Sequence, residues 1–262
     1  MTGRAVLLAA LVTVVASVSF AQARHPVSGR VIAGVMGPEG ARWLERPERE
    51  AEEAPTKAVA ALNLQPGQIV ADIGAGLGGH YTMKLSSAVG PRGRVYATDI
   101  QPEMLALIKK RIGEKGVSNV ELVRGTATGS GLPDGIIDRA LMVDVYHELA
   151  QPQAFLQSLK RAFAPGGQLV LIEFRKESPW VPIREEHKMS IQDARMELEA
   201  EGYRFDRVID VLPWQHILVF KAGPSPVGRE LAQGEIDRER HPEADEPGVV
   251  VEVEQRRRQP VR

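Results

Sequence analysis

The sequence predicts an α/β fold in which a parallel β-sheet is covered by helices on both faces. Short apolar runs alternate with segments of helical periodicity between residues 55 and 201, and this alternation is typical of βαβ units. Beyond them, the apolar runs 205–211 and 215–220 are separated by only three residues, too few for a crossover helix. These last two strands must therefore pair antiparallel.

Each element follows from a local pattern. Proline opens three of the helices, because its fixed φ suits the first helical turn and its missing N–H is not needed there. The predicted strands are 69–73, 94–99, 120–124, 137–143, 168–174, 205–211 and 215–220. The predicted helices are one that begins at Pro55 and ends before Pro66, and 80–89, 102–114, 152–163 and 190–201. The sum is a Rossmann-like, doubly wound sheet of five parallel strands plus a C-terminal antiparallel hairpin.

Length and composition limit the classes of function. The chain has 262 residues, of which 43% are hydrophobic and 26% are charged, as expected for a globular protein. Its formal net charge of −1 provides no basic field, so we expect no nucleic-acid partner. The chain contains no cysteine, which excludes disulfides, thiolate nucleophiles and cysteine-ligated metals.

The N-terminus has the three-part pattern of a secretory signal peptide. Arg4 precedes an apolar run at 5–20, and Ala21-Gln22-Ala23 matches an A-x-A cleavage site. The run has about 16 residues, fewer than the roughly 20 that a membrane span needs. We therefore predict cleavage after Ala23 and a periplasmic or secreted protein without stable membrane contact. The alternative is an uncleaved inner-membrane anchor with a cytoplasmic domain, because Arg24 and Arg30 outnumber Arg4.

The chain divides into four segments. The signal peptide at 1–23 is followed by a polar, helical extension at 24–54, a folded domain at 55–222 and a tail at 223–262. The charged run within 45–53 predicts a solvated helical face. The tail mixes proline, glycine, glutamate and arginine with little apolar periodicity, so disorder is expected there. Nothing in the sequence determines the oligomeric state.

A glycine-rich loop joins the first strand to the next helix. Residues 72–79 are Asp-Ile-Gly-Ala-Gly-Leu-Gly-Gly, and glycine lets the backbone turn sharply and approach a ligand closely. The loop fits G-x-G-x-x-G, the dinucleotide pattern, and also D-x-G-x-G-x-G. Asp99, at the end of the second strand, suits a ribose diol in either case. The loop alone therefore leaves two adenosine cofactors open.

The second pattern resembles motif I of the class I S-adenosylmethionine (SAM) methyltransferases. Asp72 would add negative charge beside a pyrophosphate, but it suits the amino group of a methionine moiety. Residues 164–167, Ala-Pro-Gly-Gly, resemble the loop before that family's last parallel strand. The terminal antiparallel pair completes the family's sheet. The resemblance covers about residues 55–221 and implies the class I methyltransferase fold, SAM as cofactor and a small-molecule methyl acceptor.

Carried over residue by residue, the resemblance implies a cofactor site at the strand ends. Asp72 and the loop backbone would hold the methionine end, and Asp99 the ribose hydroxyls. Thr126 stands where the family usually has an aspartate for the adenine amino group, so its hydrogen bond lacks charge assistance. The implied cofactor-binding residues are Asp72, Gly74, Gly76, Gly78, Asp99, Ile100 against adenine, Thr126, Ala127, and Asp144 facing the sulfonium.

Residues 146–148 follow the fourth strand, at the edge where open α/β sheets bind ligands, and in the family this segment faces the acceptor. Methyl transfer requires alignment, and also a base when the acceptor is a hydroxyl. We predict His147 as the base and Glu148 as the residue that orients it. His187, in the connection after the fifth strand, is the third catalytic candidate.

Three alternatives stay open. A metal site of the catechol-methyltransferase type could use Asp144, His147, Glu173 and His187, but their spacing does not support it, so no metal is predicted. A non-catalytic SAM-binding module is the main rival to methyl transfer, because export would separate the domain from cytoplasmic SAM. An NAD(P)-dependent dehydrogenase is a weaker rival.

Overall fold

The structure is a computed structural model that describes residues 22–37 and 39–223. Most of the predicted signal peptide and the tail from residue 224 onward lie outside the described residues. Among the helices that the structure describes, none is long and apolar enough to cross a membrane.

One eight-stranded sheet forms the centre of the described chain. Its strands are β1 (Ile69–Ile73), β2 (Arg94–Asp99), β3 (Val120–Arg124), β4 (Ile137–Val143), β5 (Phe163–Arg175), β6 (Lys188–Met189), β7 (Arg204–Ile209) and β8 (Gln215–Lys221). The order is β3-β2-β1-β4-β5-β8-β7, with β1 to β5 parallel and β8 antiparallel to both of its neighbours. The predicted fold class is confirmed. The two-residue β6, which pairs with the end of β5, was not predicted.

The described part contains six α-helices, of which the first two precede β1 and the other four lie between strands. They are α1 (Arg49–Glu52), α2 (Pro55–Ala61), α3 (His80–Val89), α4 (Pro102–Lys115), α5 (Pro152–Ala162) and α6 (Ile191–Ala200). Buried apolar side chains form one cluster on each side of the sheet, as expected where helices cover both faces. β5 begins earlier than predicted, because Phe163 pairs with Ile137 of β4.

The segment at 24–54 is built into the fold. Arg30 is buried and forms two hydrogen bonds of 3.0 Å with the carboxylate of Glu197 in α6. The prediction of a solvated charged face at 45–53 is wrong at two positions. Arg49 and Glu53 are 5% and 1% exposed, and they pair with each other at 2.7 Å. Burial is tolerated there because each charge has a partner.

Candidate functional site

A cavity of about 750 Å³ opens at the carboxyl ends of the parallel strands. Ligands bind at this edge in open α/β sheets, because the connecting loops diverge there. Ten of the predicted site residues line the cavity: Gly74, Gly76, Asp99, Ile100, Thr126, Ala127, Asp144, His147, Glu148 and His187. Asp72 and Gly78 are not among its lining residues.

The glycine loop approaches the segment after β4 too closely for side chains. Gly74 has a φ of +66°, and a Cβ there would lie 2.6 Å from Cγ2 of Val145. Gly76 has a φ of +63°, and its N–H donates a 3.0 Å hydrogen bond to Oδ2 of Asp99. Only glycine adopts such φ values readily, so both positions leave bare backbone at the cavity wall.

Asp99 ends β2 with its carboxylate held by backbone donors. Oδ2 accepts from Gly76, and Oδ1 accepts a 2.9 Å hydrogen bond from the N–H of Gln101. Burial raises the pKa of this carboxyl, while the two N–H donors act in the opposite direction. Because each oxygen has further lone-pair capacity, the oriented carboxylate can still accept hydrogen bonds from a vicinal diol.

Asp72 lies behind the loop rather than in the cavity wall. Its side chain is buried, and Oδ2 accepts a 2.6 Å hydrogen bond from the hydroxyl of Thr82 in α3. The carboxylate therefore joins the end of β1 to the helix that follows the loop. Burial raises the pKa of Asp72 to about 6.

We expect Asp72→Asn to stabilise the fold at pH 8 by as much as about 3 kcal/mol. The folded state holds the Asp72 proton more tightly than the unfolded chain, whose ordinary pKa is 3.8. The ionised carboxylate therefore destabilises the fold above about pH 6, and this penalty disappears as the pH falls towards 4. Urea unfolding at pH 8 and pH 4 measures it. Asp134→Asn, on an exposed side chain, is the control, and equal stability of wild type and Asp72→Asn at pH 8 would contradict the expectation.

Three side chains meet on the other side of the cavity, those of His147, Glu148 and His187. We call them the acceptor cluster. Nε2 of His147 lies 3.1 Å from Nδ1 of His187, and Oε1 of Glu148 lies 4.0 Å from each of these nitrogens. Residues 146–148 form a 3₁₀ turn after β4, and 185–187 form another immediately before β6. The short pairing of β6 with β5 thus positions His187.

The carboxylate that orients His147 is Glu173, not Glu148 as we expected. Glu173 is fully buried in β5, and its Oε2 lies 2.5 Å from Nδ1 of His147. Oε1 accepts a 3.0 Å hydrogen bond from the N–H of Tyr146. Since Nδ1–H donates to a carboxylate, the lone pair of the neutral ring is on Nε2, within the acceptor cluster. The sequence signal that could have indicated this role of Glu173 is its position as an acidic residue near the end of an otherwise apolar strand.

The other two cluster residues favour their neutral forms. Burial raises the pKa of Glu148 to about 7, although His147 and the Met36 N–H act to lower it. Burial lowers the pKa of His187, and the neighbouring His147 lowers it further. Below about pH 7 the cluster therefore carries little net charge.

Asp144 does not join the acceptor cluster. Its backbone has a φ of +53°, and its carboxylate accepts hydrogen bonds of 2.9 and 2.7 Å from the side-chain amide of Gln215 in β8. Burial raises its pKa well above the ordinary value. The four-residue metal set considered from the sequence is therefore not formed, because Asp144 is bound elsewhere and Glu173 supports His147 from behind.

Comparison with known proteins identifies the family. A family model described as a methyltransferase domain matches residues 71–171. The crystal structure of a SAM-dependent methyltransferase from Aquifex aeolicus is 30% identical, with a TM-score of 0.67, and covers 72% of this chain and 100% of its own. The chain belongs to the class I SAM-dependent methyltransferases.

Curated relatives of this methyltransferase match over a shorter stretch. The ubiquinone/menaquinone biosynthesis C-methyltransferase UbiE of Ectopseudomonas mendocina is 35% identical over 114 residues, 43% of this chain and 44% of the relative. The protein of the same name from Burkholderia orbicola is 31% identical over 131 residues, 50% of this chain and 52% of the relative. The chain thus spans about half the length of the curated relatives that it matches.

SAM is the cofactor of this methyltransferase family, and the residues of the cavity fit it. Asp99 offers an oriented carboxylate for ribose hydroxyls, and the bare backbone at Gly74 and Gly76 leaves room for a ligand. Ile100, which is 43% exposed, adds an apolar surface beside Asp99, and the predicted contact with adenine requires such a surface.

The N-terminal extension contributes to this methyltransferase site, which was not predicted from the sequence. Met36, Trp43 and Leu44 line the cavity, and the Met36 carbonyl accepts a 3.0 Å hydrogen bond from the side chain of Gln101. A Cβ on Gly76 would lie 3.2 Å from Leu44 Cδ1. The extension therefore covers the glycine loop. The polar and charged composition of the extension did not indicate this contact.

Proposed function

We propose that this protein transfers a methyl group from SAM to a small hydroxylated aromatic molecule. The observation that carries the proposal is a single cavity with two chemically different sides. One side has the carboxylate of Asp99 and the glycine backbone, and the other has the acceptor cluster. A cofactor and a second molecule bound at these sides would share one desolvated space.

The apolar part of the cavity lining supports an apolar, flat acceptor. Trp43, Val145, Leu149, Pro182 and Ile183 contribute to the cavity wall, and such side chains favour aromatic ligands. The curated relatives are named for ubiquinone and menaquinone biosynthesis, which also supports a ring compound.

When bound, SAM supplies a methyl group activated by a positively charged sulfonium. The residues of the chain then have two tasks, which are to align the acceptor and to promote loss of its hydroxyl proton. Glu173 holds the ring of His147 so that its Nε2 faces the cavity, and His187 and Glu148 lie beside this nitrogen. An ionised hydroxyl activates both its own oxygen and the adjacent ring carbons, so the arrangement suits O- and C-methylation alike.

A radiolabelled-methyl assay tests the proposal. Purified protein is incubated with labelled SAM and with phenol, catechol or 1,4-naphthohydroquinone, and anisole serves as the control without a free hydroxyl. We expect label in at least one hydroxylated ring and none in anisole. Binding of SAM without transfer to any of these acceptors, or to the small molecules of a cell extract, would favour the non-catalytic binding module instead.

We also propose that the mature protein begins at Arg24 and acts outside the cytoplasm on a small molecule, without nucleic acid or a stable membrane contact. The support is the three-part leader pattern and the A-x-A site at 21–23. N-terminal sequencing of the protein from its native cell is the test. An intact leader in the inner-membrane fraction would show an anchored protein with a cytoplasmic domain.

Thr126→Asp is expected to tighten SAM binding about tenfold, because a carboxylate would accept the adenine amino hydrogen bond with charge assistance. Thr126 lines the cavity, and its Oγ1 accepts a 3.3 Å hydrogen bond from the N–H of Thr128. Isothermal titration with SAM and with its demethylated product measures the change. Thr128→Asp, outside the cavity lining, is the matched control, and an equal gain in both variants would contradict a specific role for position 126.

A further inference from the structure

We propose that the acceptor cluster binds one divalent transition-metal ion, such as Zn²⁺, and that an open coordination position of this ion takes the hydroxyl oxygen of the acceptor. The ligands are Nε2 of His147, Nδ1 of His187 and Oε1 of Glu148. The metal site itself stands on geometry alone. Its use in binding an acceptor rests on the proposed function.

The distances within the cluster match metal coordination. The three ligand atoms form a triangle with sides of 3.1, 4.0 and 4.0 Å, and the point equidistant from them lies about 2.2 Å from each. Zn²⁺ binds imidazole nitrogen at about 2.0–2.1 Å and carboxylate oxygen at about 2.0–2.2 Å. An ion therefore fits between the three atoms with only small adjustments. A direct hydrogen bond between the two imidazoles explains the 3.1 Å distance between their nitrogens. It does not explain why Oε1 of Glu148 lies at 4.0 Å from both nitrogens.

The surroundings of His147 are those of a supported metal ligand. Glu173 accepts a hydrogen bond from Nδ1, the nitrogen that would not bind the ion, and such carboxylate–histidine pairs orient metal-binding imidazoles. The backbone of the same turn is also held. The carbonyl of His147 accepts hydrogen bonds of 3.0 Å from the Ala33 N–H and 3.2 Å from the Arg30 guanidinium. These contacts hold the His147 ring in position without a bound ion.

Two histidines and one carboxylate leave coordination positions free. Sites of this composition hold Zn²⁺ with water in the fourth position, or Fe²⁺ with several open positions. All three ligands line the cavity, so an open position is accessible to a molecule bound there. A hydroxyl that forms an oxygen–metal bond loses its proton more easily. Because Nε2 of His147 binds the ion in this arrangement, the proton passes to solvent water rather than to that nitrogen.

Cobalt titration tests the site without SAM, acceptor or turnover. Full-length protein is freed of metal with a chelator and titrated with Co²⁺, whose visible absorption bands report low-coordinate nitrogen and oxygen ligands. We expect one equivalent to bind and to be displaced by Zn²⁺. His187→Gln and Glu148→Gln should each weaken binding at least about a hundredfold, and Glu173→Gln about tenfold. His80→Gln removes a histidine outside the cavity lining and should leave binding unchanged.

Far-UV circular dichroism checks that each variant is folded. Catechol added to the cobalt protein should alter the visible spectrum in wild type, and an unchanged spectrum would overturn the assignment of the open position. Absence of Co²⁺ binding by the wild type, or binding that His187→Gln leaves intact, would overturn the metal site. Methyl transfer by chelated, metal-free protein would separate the two hypotheses, since the proposed function would stand and the role of the metal would fall.

Discussion

Replacing Asp99 with alanine is expected to weaken SAM binding by about two to four orders of magnitude. A carboxylate that accepts hydrogen bonds from both ribose hydroxyls contributes about 1.5–3 kcal/mol for each bond. The substitution also removes the acceptor for the Gly76 N–H, which lies 3.0 Å from Oδ2. The glycine loop thus loses a contact that holds it against the end of β2. Isothermal titration with SAM measures the loss.

Two further variants separate charge from shape at this position. Asp99→Asn keeps one oxygen acceptor and should show an intermediate loss of SAM affinity. Asp134→Asn changes an exposed carboxylate away from the cavity lining and should bind SAM like wild type. Urea unfolding shows whether each protein is folded at the temperature of the titration. SAM affinity of folded Asp99→Ala within threefold of wild type would contradict the role assigned to Asp99.

Glu173→Gln is expected to lower kcat for methyl transfer about a hundredfold while leaving the affinity for SAM unchanged. Glutamine can still accept the hydrogen bond from the Tyr146 N–H, which Glu173 accepts at 3.0 Å. Its amide nitrogen, however, would donate to Nδ1 of His147. The proton of the imidazole would then move to Nε2, and the lone pair that faces the cavity would be lost. A wrong tautomer of this kind is costly in other histidine-dependent enzymes.

The separation of kcat from binding distinguishes this role of Glu173 from a purely structural one. Steady-state kinetics with the acceptor found in the labelling assay gives kcat and both KM values, and titration gives the Kd for SAM. Glu121→Gln, on β3 and half-exposed, is the matched control. Parallel losses of stability, SAM affinity and kcat in Glu173→Gln would show that the residue only supports the fold, and an unchanged kcat would contradict the prediction.

The sheet and its cofactor edge could be predicted from the sequence because their signals are local. Gly74 and Gly76 are recognisable in the chain because they occupy positive-φ positions that few other residues adopt. The end of each strand can be read from its apolar run. Once β1 and β2 are known to be parallel neighbours, Asp99 must lie beside the glycine loop, because both follow carboxyl ends at one edge of the sheet.

The acceptor side could be predicted only as a set of candidates. His147 and Glu148 are adjacent in sequence, and their neighbourhood suggested that one orients the other. His187 is 40 residues from His147, and Glu173 is 26 residues away. Their contacts require β5 beside β4 and a short β6 that returns to the end of β5. No periodicity or motif specifies how the intervening loop folds.

The sequence by itself determined the fold class, the cofactor edge and the positions of the acceptor-side residues along the chain. Only the tertiary structure decided that Glu173 holds His147, that Asp72 supports the loop from behind, and that the extension at 24–54 covers the cavity. The physical reason is that backbone conformation depends mainly on neighbours in sequence. The pairing of buried charges, as at Arg30 and Glu197, depends on which distant groups the packed core brings within hydrogen-bond distance.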